Sequence, residues 1–315
     1  IEYVQQADIR IQVQRPQQQV GFGDVYDMLV IAPQKFESPL QRLVNHKEDI
    51  GIKTKLMYTE DIFDTYPGRD AQEQIKYGIK HAIEEWNITY VLLVGGMKGQ
   101  RYWDWYVPAR ISHVQAIWEN GSEYWVRPPF LSDLYYADIY QYDGEAGYAF
   151  DDWDGDGDGI FSEWTSSTNK DIMDLYPDVY LGRLPCRYEQ HVDTVVDRII
   201  KYETSTYDQE WFRRMVVMGG DTHMDEQYGC NNGFDEGKLA AEIAISYMPD
   251  FEHIRVYTDG DGDIDYTPEN MIAVLSQGHG FMFYSGHGSP TSIATHPHGD
   301  DSVWIGITNT DIRTL

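Results

Sequence analysis

The chain has 315 residues, 42% of them hydrophobic and 14% aromatic, enough to bury a sizeable core and too apolar for a disordered tail. Its 24 Lys and Arg against 52 Asp and Glu give a formal net charge of −28, which argues against phosphate backbones and anionic lipid surfaces as partners. No apolar run nears the roughly 18–20 residues that span a bilayer. The first residue is Ile1 rather than Met, which points to a trimmed N-terminus.

In chain order, Ile9, Ile11 and Val13 alternate with Arg10, Gln12 and Gln14, the pattern of a half-buried strand, and the Gln-rich stretch 17–19 reads as a link. From Tyr26 a rhythm of strands and helices sets in. The run Tyr26–Ala32 is continuously apolar except for Asp27 and ends at Pro33, as for a strand covered on both faces. A helix is expected over 38–50 and a strand over 53–58. Asp70, with Glu73 three positions on, opens a second helix whose Ile75, Ile79, Ala82, Ile83 and Trp86 share one face. A strand over 90–94 then ends at Gly95 and Gly96.

Residues 98–171 lose the rhythm and read as long loops with short strands, rich in Tyr, Trp, Asp and Gly. Order returns with a strand over 179–181 and a helix over 189–203. A second series follows: strand 215–218, helix 234–248, strand 254–257, helix 268–277 and strand 281–284. The expected fold class is α/β, with two tandem parallel-sheet sub-domains carrying helices on both faces. The expected division is 1–23 as N-terminal strand and link, 24–204 as a first sub-domain with a long acidic insertion, and 205–315 as a second.

The sharpest motif closes that series, Ser285-Gly-His-Gly-Ser289, just past the carboxyl end of a strand, where open α/β sheets place their ligands. The glycines flanking His287 admit a close backbone and leave the Gly288 amide able to donate. A second motif is acidic, spanning 152–163. With Asp154 as position one of an EF-hand-like loop, Asp156 and Asp158 fall at three and five, Gly159 at the sharp turn, and the Ile160 carbonyl at seven. Position twelve is then Thr165. Glu163 substitutes for it, or the register begins at Asp152, with Glu163 at twelve. Carboxylates so crowded repel one another without a cation, so calcium is the expected cofactor. A second acidic run, Asp259, Asp261, Asp263 and Asp265, lacks the turn glycine. Calcium abundance outside cells makes an extracellular, secreted or cell-surface location the expectation.

Two cysteines, Cys186 and Cys230, make no disulfide scaffold, though one bridge between them is chemically allowed. His296 and His298, flanking Pro297, read as lining of a substrate cleft. A rival reading joins them to His223 and His287 in a transition-metal hydrolase, and another makes the chain a non-catalytic calcium-binding surface module.

Several ordered stretches, Tyr26–Ile31, 68–73, 90–96, 132–137, 178–185 and 284–289, together resemble the gingipain family of cysteine peptidases, relatives of the caspases. The resemblance implies a caspase-like fold and a secreted endopeptidase acting on protein or peptide substrates through a Cys–His dyad. His287 would be its base, Gly288 an oxyanion donor and Asp221 the acidic group orienting the histidine. Asp235 and Glu236, with Asp225 and Glu226, would line a pocket for a basic side chain. In that family the nucleophilic Cys follows the histidine, and no cysteine lies between His287 and Leu315. The expected partner is therefore a downstream segment of the same precursor carrying that Cys, and the chain alone is expected to be inactive.

Overall fold

The computed structural model describes residues 25–99, 101, 104–115, 130–142, 147–165, 171–222, 235–300 and 302–312. The strand expected over 9–13 and the glutamine-rich link lie outside these. The chain divides into two compact units, Ile1–Ile200 and Lys201–Leu315.

In the first unit the order is β1 (Met28–Ala32), α1 (Glu37–Asp49), β2 (Thr54–Tyr58), α2 (Thr59–Thr65), α3 (Ala71–Trp86), β3 (Tyr90–Val94), β4 (Tyr180–Leu184) and α4 (Glu189–Ser205). The four strands form a parallel sheet in the order β4-β3-β1-β2. Successive side chains of β1 feed two cores, because strand residues alternate between faces. Leu29 and Ile31 meet Ile62 of α2 and Ile75 and Ile79 of α3. Val30 and Ala32 meet Leu40 and Leu43 of α1 and Val192 and Val196 of α4. The unbroken apolar run of β1 is thus buried on both sides.

The start of α3 follows its sequence signal with one shift. The Asp70 carboxylate accepts the Glu73 N–H, as an N-cap should, but the Glu73 carboxylate reaches back to the N–H of Arg69 rather than of Asp70. The helix closes at Asn87, which takes the left-handed conformation at φ 59°. The strand expected over 179–181 runs instead over Tyr180–Leu184. It pairs with all of β3, and Gly182 opposite Leu92 is carried by that ladder.

Between β3 and β4 lies the long insertion. Its described parts include the strand pairs Arg110–Ser112 with Phe130–Ser132 and Tyr140–Tyr142 with Tyr148–Phe150, and a helical turn at Leu134–Ala137. Tyr135, Tyr136, Trp153 and Phe161 from this insertion complete the core beneath α3. These four aromatics serve packing, while Phe130, Tyr142 and Tyr148 of the same insertion are exposed.

The second unit repeats the plan with β5 (Arg214–Gly219), α5 (Glu236–Tyr247), β6 (Glu252–Tyr257), β7 (Ile264–Asp265), α6 (Pro268–Ser276) and β8 (Phe281–Ser285). Its parallel sheet has the order β7-β6-β5-β8. Met215 and Val217 face Ala241 and Ile245 of α5, while Val216 and Met218 face Met271 and Val274 of α6. After β8 comes a three-stranded antiparallel sheet of β9 (His287–Ser289), β10 (Ser292–Thr295) and β11 (Ile305–Thr308). Among the described residues no helix is long and apolar enough to cross a membrane.

Candidate active site

From β5 the chain crosses to β6 on one side and later to β8 on the other, so strand order reverses between β5 and β8. Crevices at such switch points, outside the carboxyl ends of the strands, are where open α/β sheets bind ligands. The segments that emerge there are Gly219-Gly-Asp-Thr222 from β5 and Ser285-Gly-His-Gly-Ser289 from β8.

The glycine-flanked histidine is not on a loop but on the first arm of a hairpin, β9, paired His287 to Ala294, Gly288 to Ile293 and Ser289 to Ser292. Its two glycines serve different ends. A Cβ on Gly286 would strike the Tyr284 hydroxyl, which donates to the carbonyls of His287 (2.9 Å) and Ala294 (2.7 Å) and clamps the hairpin. A Cβ on Gly288 would meet nothing within 4 Å. In register, Asn309 donates to the Thr291 carbonyl at 2.8 Å, so Thr291 and Ile293 direct their backbone groups toward β11. Antiparallel alternation then turns the Gly288 N–H away from β10, toward open space.

The His287 ring is set by a backbone group. Its Nε2 donates to the Thr222 carbonyl, and because a carbonyl only accepts, the neutral ring carries its lone pair on Nδ1. Trp304, 53% exposed, stands edge-on to His287 at 5.1 Å between centroids. Thr222 in turn is held by Glu236, whose Oε2 accepts its N–H (3.3 Å) and hydroxyl (3.2 Å). Glu236 is thus a positioning residue for the histidine.

Asp221, expected to orient His287, is buried at the end of β5, and its main chain exchanges hydrogen bonds with His296 (3.2 and 3.0 Å). In the next residue, the Thr222 carbonyl contacts the His287 ring at Nε2. His296 does not line a surface cleft: it is 1% exposed, its ring packs 3.7 Å from Trp304, and its Nδ1 donates to the Val303 carbonyl at 2.7 Å. Asp235 and Glu236 do not present an acidic pocket. Asp235 is buried, paired with His298 Nδ1 at 2.7 Å, and this hydrogen bond and charge hold the His298 imidazole above its ordinary value. Asp225, Glu226, His223 and Cys230 lie outside the described residues.

The two acidic runs fare differently. In the first, the carboxylates of Asp154, Asp156 and Asp158 bring ligand atoms within 4.8 Å of one another. Gly157 and Gly159 take φ of 75° and 84°, the left-handed turns that let the loop curl. Gly159 N–H donates to Asp154 Oδ2 at 3.1 Å, while Asp154 Oδ1 is buried with no hydrogen-bond partner. An orphaned carboxylate oxygen in a ring of carboxylates fits a hard cation. Arg69 bonds both Asp152, through Nη2 at 2.9 Å, and Asp154, through Nη1, and of these two it is Asp154 that groups with Asp156 and Asp158. Glu163 donates its N–H to Asp171 Oδ2 at 2.6 Å, and Ile160 its N–H to Asp158 Oδ1 at 2.8 Å, leaving the Ile160 carbonyl at the seventh position.

The second run is not drawn together. Lys238 Nζ bonds Asp259 and Asp261, Asp263 accepts the Arg255 N–H at 2.9 Å, and Asp265 belongs to β7. The Lys238 ammonium offsets part of its charge. Among the described residues the groupings able to hold a metal are all aspartate, and His296 and His298 are engaged as above, which disfavours a histidine metal centre. Cys186 is a buried thiol in the first unit, and burial pushes its pKa up, away from the thiolate a nucleophile needs.

Thr222, Tyr284, Trp304 and the holding role of Glu236 escaped sequence reasoning. A main-chain carbonyl leaves no residue signature, and Trp304 sits in an unpatterned segment.

Two doubly wound parallel sheets, the second ending in a histidine hairpin at its switch point, define an α/β domain of the caspase-like kind. The model of peptidase family C25 matches residues 23–315, so the chain belongs to that family, the gingipain family of cysteine peptidases. It is 24% identical over 277 residues to gingipain R2 of Porphyromonas gingivalis, covering 88% of this chain and 29% of that protein. Lys-gingipain of the same organism is 24% identical over 151 residues, 44% of this chain and 8% of its own length. The complex of the P. gingivalis RgpB pro- and mature domains superposes with a TM-score of 0.55 at 23% identity, over 86% of this chain and 50% of that one. The crystal structure of the Arg-specific proteinase gingipain R (RgpB) gives 0.53 at 22% identity, over 87% and 49%.

Proposed function

We propose that the chain contributes the base and the oxyanion donor of a secreted, calcium-stabilised cysteine endopeptidase. The supporting observation is the hairpin at the β5–β8 switch point, where the Thr222 carbonyl orients the His287 ring and the Gly288 amide lies on the side of β9 away from β10. In this reading a thiolate attacks the scissile carbonyl carbon, His287 returns the proton to the leaving amine, and the Gly288 N–H donates to the oxyanion. In this reading the thiol comes from a downstream segment of the same precursor; Cys186, buried with a raised pKa, is a poor nucleophile. Calcium sits among Asp154, Asp156, Asp158 and the Ile160 carbonyl, which supports an extracellular location. The internal pairing of Asp235 and Glu236 removes the argument for a basic side chain in the substrate that rested on them.

The test uses the precursor that includes the downstream segment. It should hydrolyse reporter peptides, and His287→Ala should abolish turnover while leaving calcium binding intact. A thiol-directed inhibitor should label the downstream segment. Turnover surviving in His287→Ala, or label found on Cys186 or Cys230, would overturn the assignment.

A further inference from the structure

The insertion of the first unit holds a second aspartate cluster, and none of its members belongs to the EF-hand-like loop. Asp138 follows the helical turn Leu134–Ala137, Asp151 follows the strand Tyr148–Phe150, and Asp174 lies in the segment leading to β4. Their carboxylate oxygens all lie within 4.8 Å of one another. That is the reach of a shared ion, since two ligands about 2.4 Å from one calcium stand at most about 4.8 Å apart.

The oxygens left over are the telling feature. Asp138 is 0% exposed and Asp151 2%. Each uses one oxygen on Trp153: Asp138 Oδ2 accepts the indole N–H at 2.9 Å, and Asp151 Oδ1 accepts the backbone N–H at 3.2 Å. The other oxygen of each, Asp138 Oδ1 and Asp151 Oδ2, is buried with no hydrogen-bond partner. Two neighbouring aspartates show what this insertion does with carboxylates that need no ion. Asp171 accepts the N–H groups of Gly155 and Glu163, each at 2.6 Å. Asp178 Oδ2 accepts those of Ile139 (2.7 Å) and Tyr140 (2.9 Å).

Charge points the same way. Lys76 of α3 is fully buried beside the cluster, but its ammonium is aimed at the Asp151 main-chain carbonyl and lies 4.2 Å from the Tyr135 ring centroid. One Lys against three Asp leaves −2, the charge one divalent cation neutralises. An unpaired buried carboxylate oxygen carries a desolvation cost of kilocalories per mole.

We infer that Asp138, Asp151 and Asp174 bind a divalent cation of the calcium class, at a site separate from Asp154–Asp158. An all-oxygen, all-carboxylate set selects a hard cation, and calcium tolerates the irregular geometry of ligands drawn from three loop segments. The ion ties those three segments of the insertion to the core beneath α3, where Trp153, Tyr135 and Lys76 meet.

The experiment counts calcium ions per chain by native mass spectrometry after stripping and refilling with calcium chloride, and does not depend on peptidase activity. Asp138→Asn preserves shape, and Asp174→Asn alters only a half-buried position, so loss of fold is not the expected cause of any change. Each should hold one ion fewer than the unsubstituted chain. Asp156→Ala should remove a different ion, so that Asp156→Ala with Asp174→Asn loses two. As a second readout, calcium should raise the melting temperature of Asp138→Asn less than that of the unsubstituted chain. Unchanged ion counts in both Asp138→Asn and Asp174→Asn overturn the inference, as does a combined variant that loses no more than Asp156→Ala alone.

Discussion

Asp70 is where one side chain holds both a helix and a buried cation, and its replacement has a calculable cost. It caps α3 through the Glu73 N–H and receives both Arg110 terminal nitrogens, Nη1 at 2.7 Å and Nη2 at 2.9 Å. The Arg110 side chain is 4% exposed and its guanidinium lies 3.6 Å from the Phe161 ring centroid and 4.3 Å from that of Tyr135. Removing one partner of a buried pair costs about 3–5 kcal/mol. The Asp70 side chain, however, is 36% exposed, so water offsets part of that and about 2 kcal/mol is expected. Loss of the cap adds about 1 kcal/mol. Asp70→Asn, which still caps, should therefore lose about 2 kcal/mol and Asp70→Ala about 3 kcal/mol. In a thermal melt the Ala variant should fall by about 6–12 °C, at roughly 2–4 °C per kcal/mol for a unit of this size. A pH series adds a sign. Burial alone would raise the Asp70 carboxyl, but the Arg110 hydrogen bonds and the Glu73 N–H outweigh it and hold the group below 3.8. A depressed carboxylate contributes stability that is present above its unfolded value and lost as pH falls through the folded one. The gap between wild type and Asp70→Asn should therefore close below about pH 4. Equal losses in the two variants, or a loss under about 1 kcal/mol for Asp70→Ala, would refute this account.

Calcium at about a hundred times its dissociation constant should add about 2.7 kcal/mol of stability at one site, so a chelator should lower the melt and Asp156→Ala should reproduce part of the drop. An identical melt with and without chelator removes the claim. Gly219→Ala places a Cβ against the Gly237 backbone where β5 meets α5, so a loss of about 1–3 kcal/mol in urea is expected. Gly288→Ala faces open space and should melt with wild type; the reverse ranking would contradict the packing. In the active precursor, Glu236→Ala frees Thr222 and with it the His287 ring, so kcat should fall about tenfold, about 1.4 kcal/mol, with KM unchanged. A rise in KM at constant kcat would place Glu236 against substrate instead.

Local chemistry is what the sequence determined. Apolar runs, caps and glycine punctuation depend on neighbours a few residues away, so Asp70 and Glu73 announced α3 and the run into Ala32 announced a strand buried on both faces. The Gly157–Gly159 turns and alternating aspartates were likewise readable in their own loop. Tertiary structure decided which charges meet. Asp152 and Asp154 look equivalent in sequence, and Arg69 from the start of α3 bonds both, yet it is Asp154 that folding groups with Asp156 and Asp158. Folding likewise brings Lys238, near the start of α5, to Asp259 and Asp261 of the second acidic run. Asp138, Asp151 and Asp174 are separated by loop segments with no shared pattern, and only folding brings their oxygens together. His287 was visible because glycines flank it. The carbonyl that orients it was not, since every residue has a carbonyl and only the parallel pairing of β5 with β8 brings that of Thr222 to the ring.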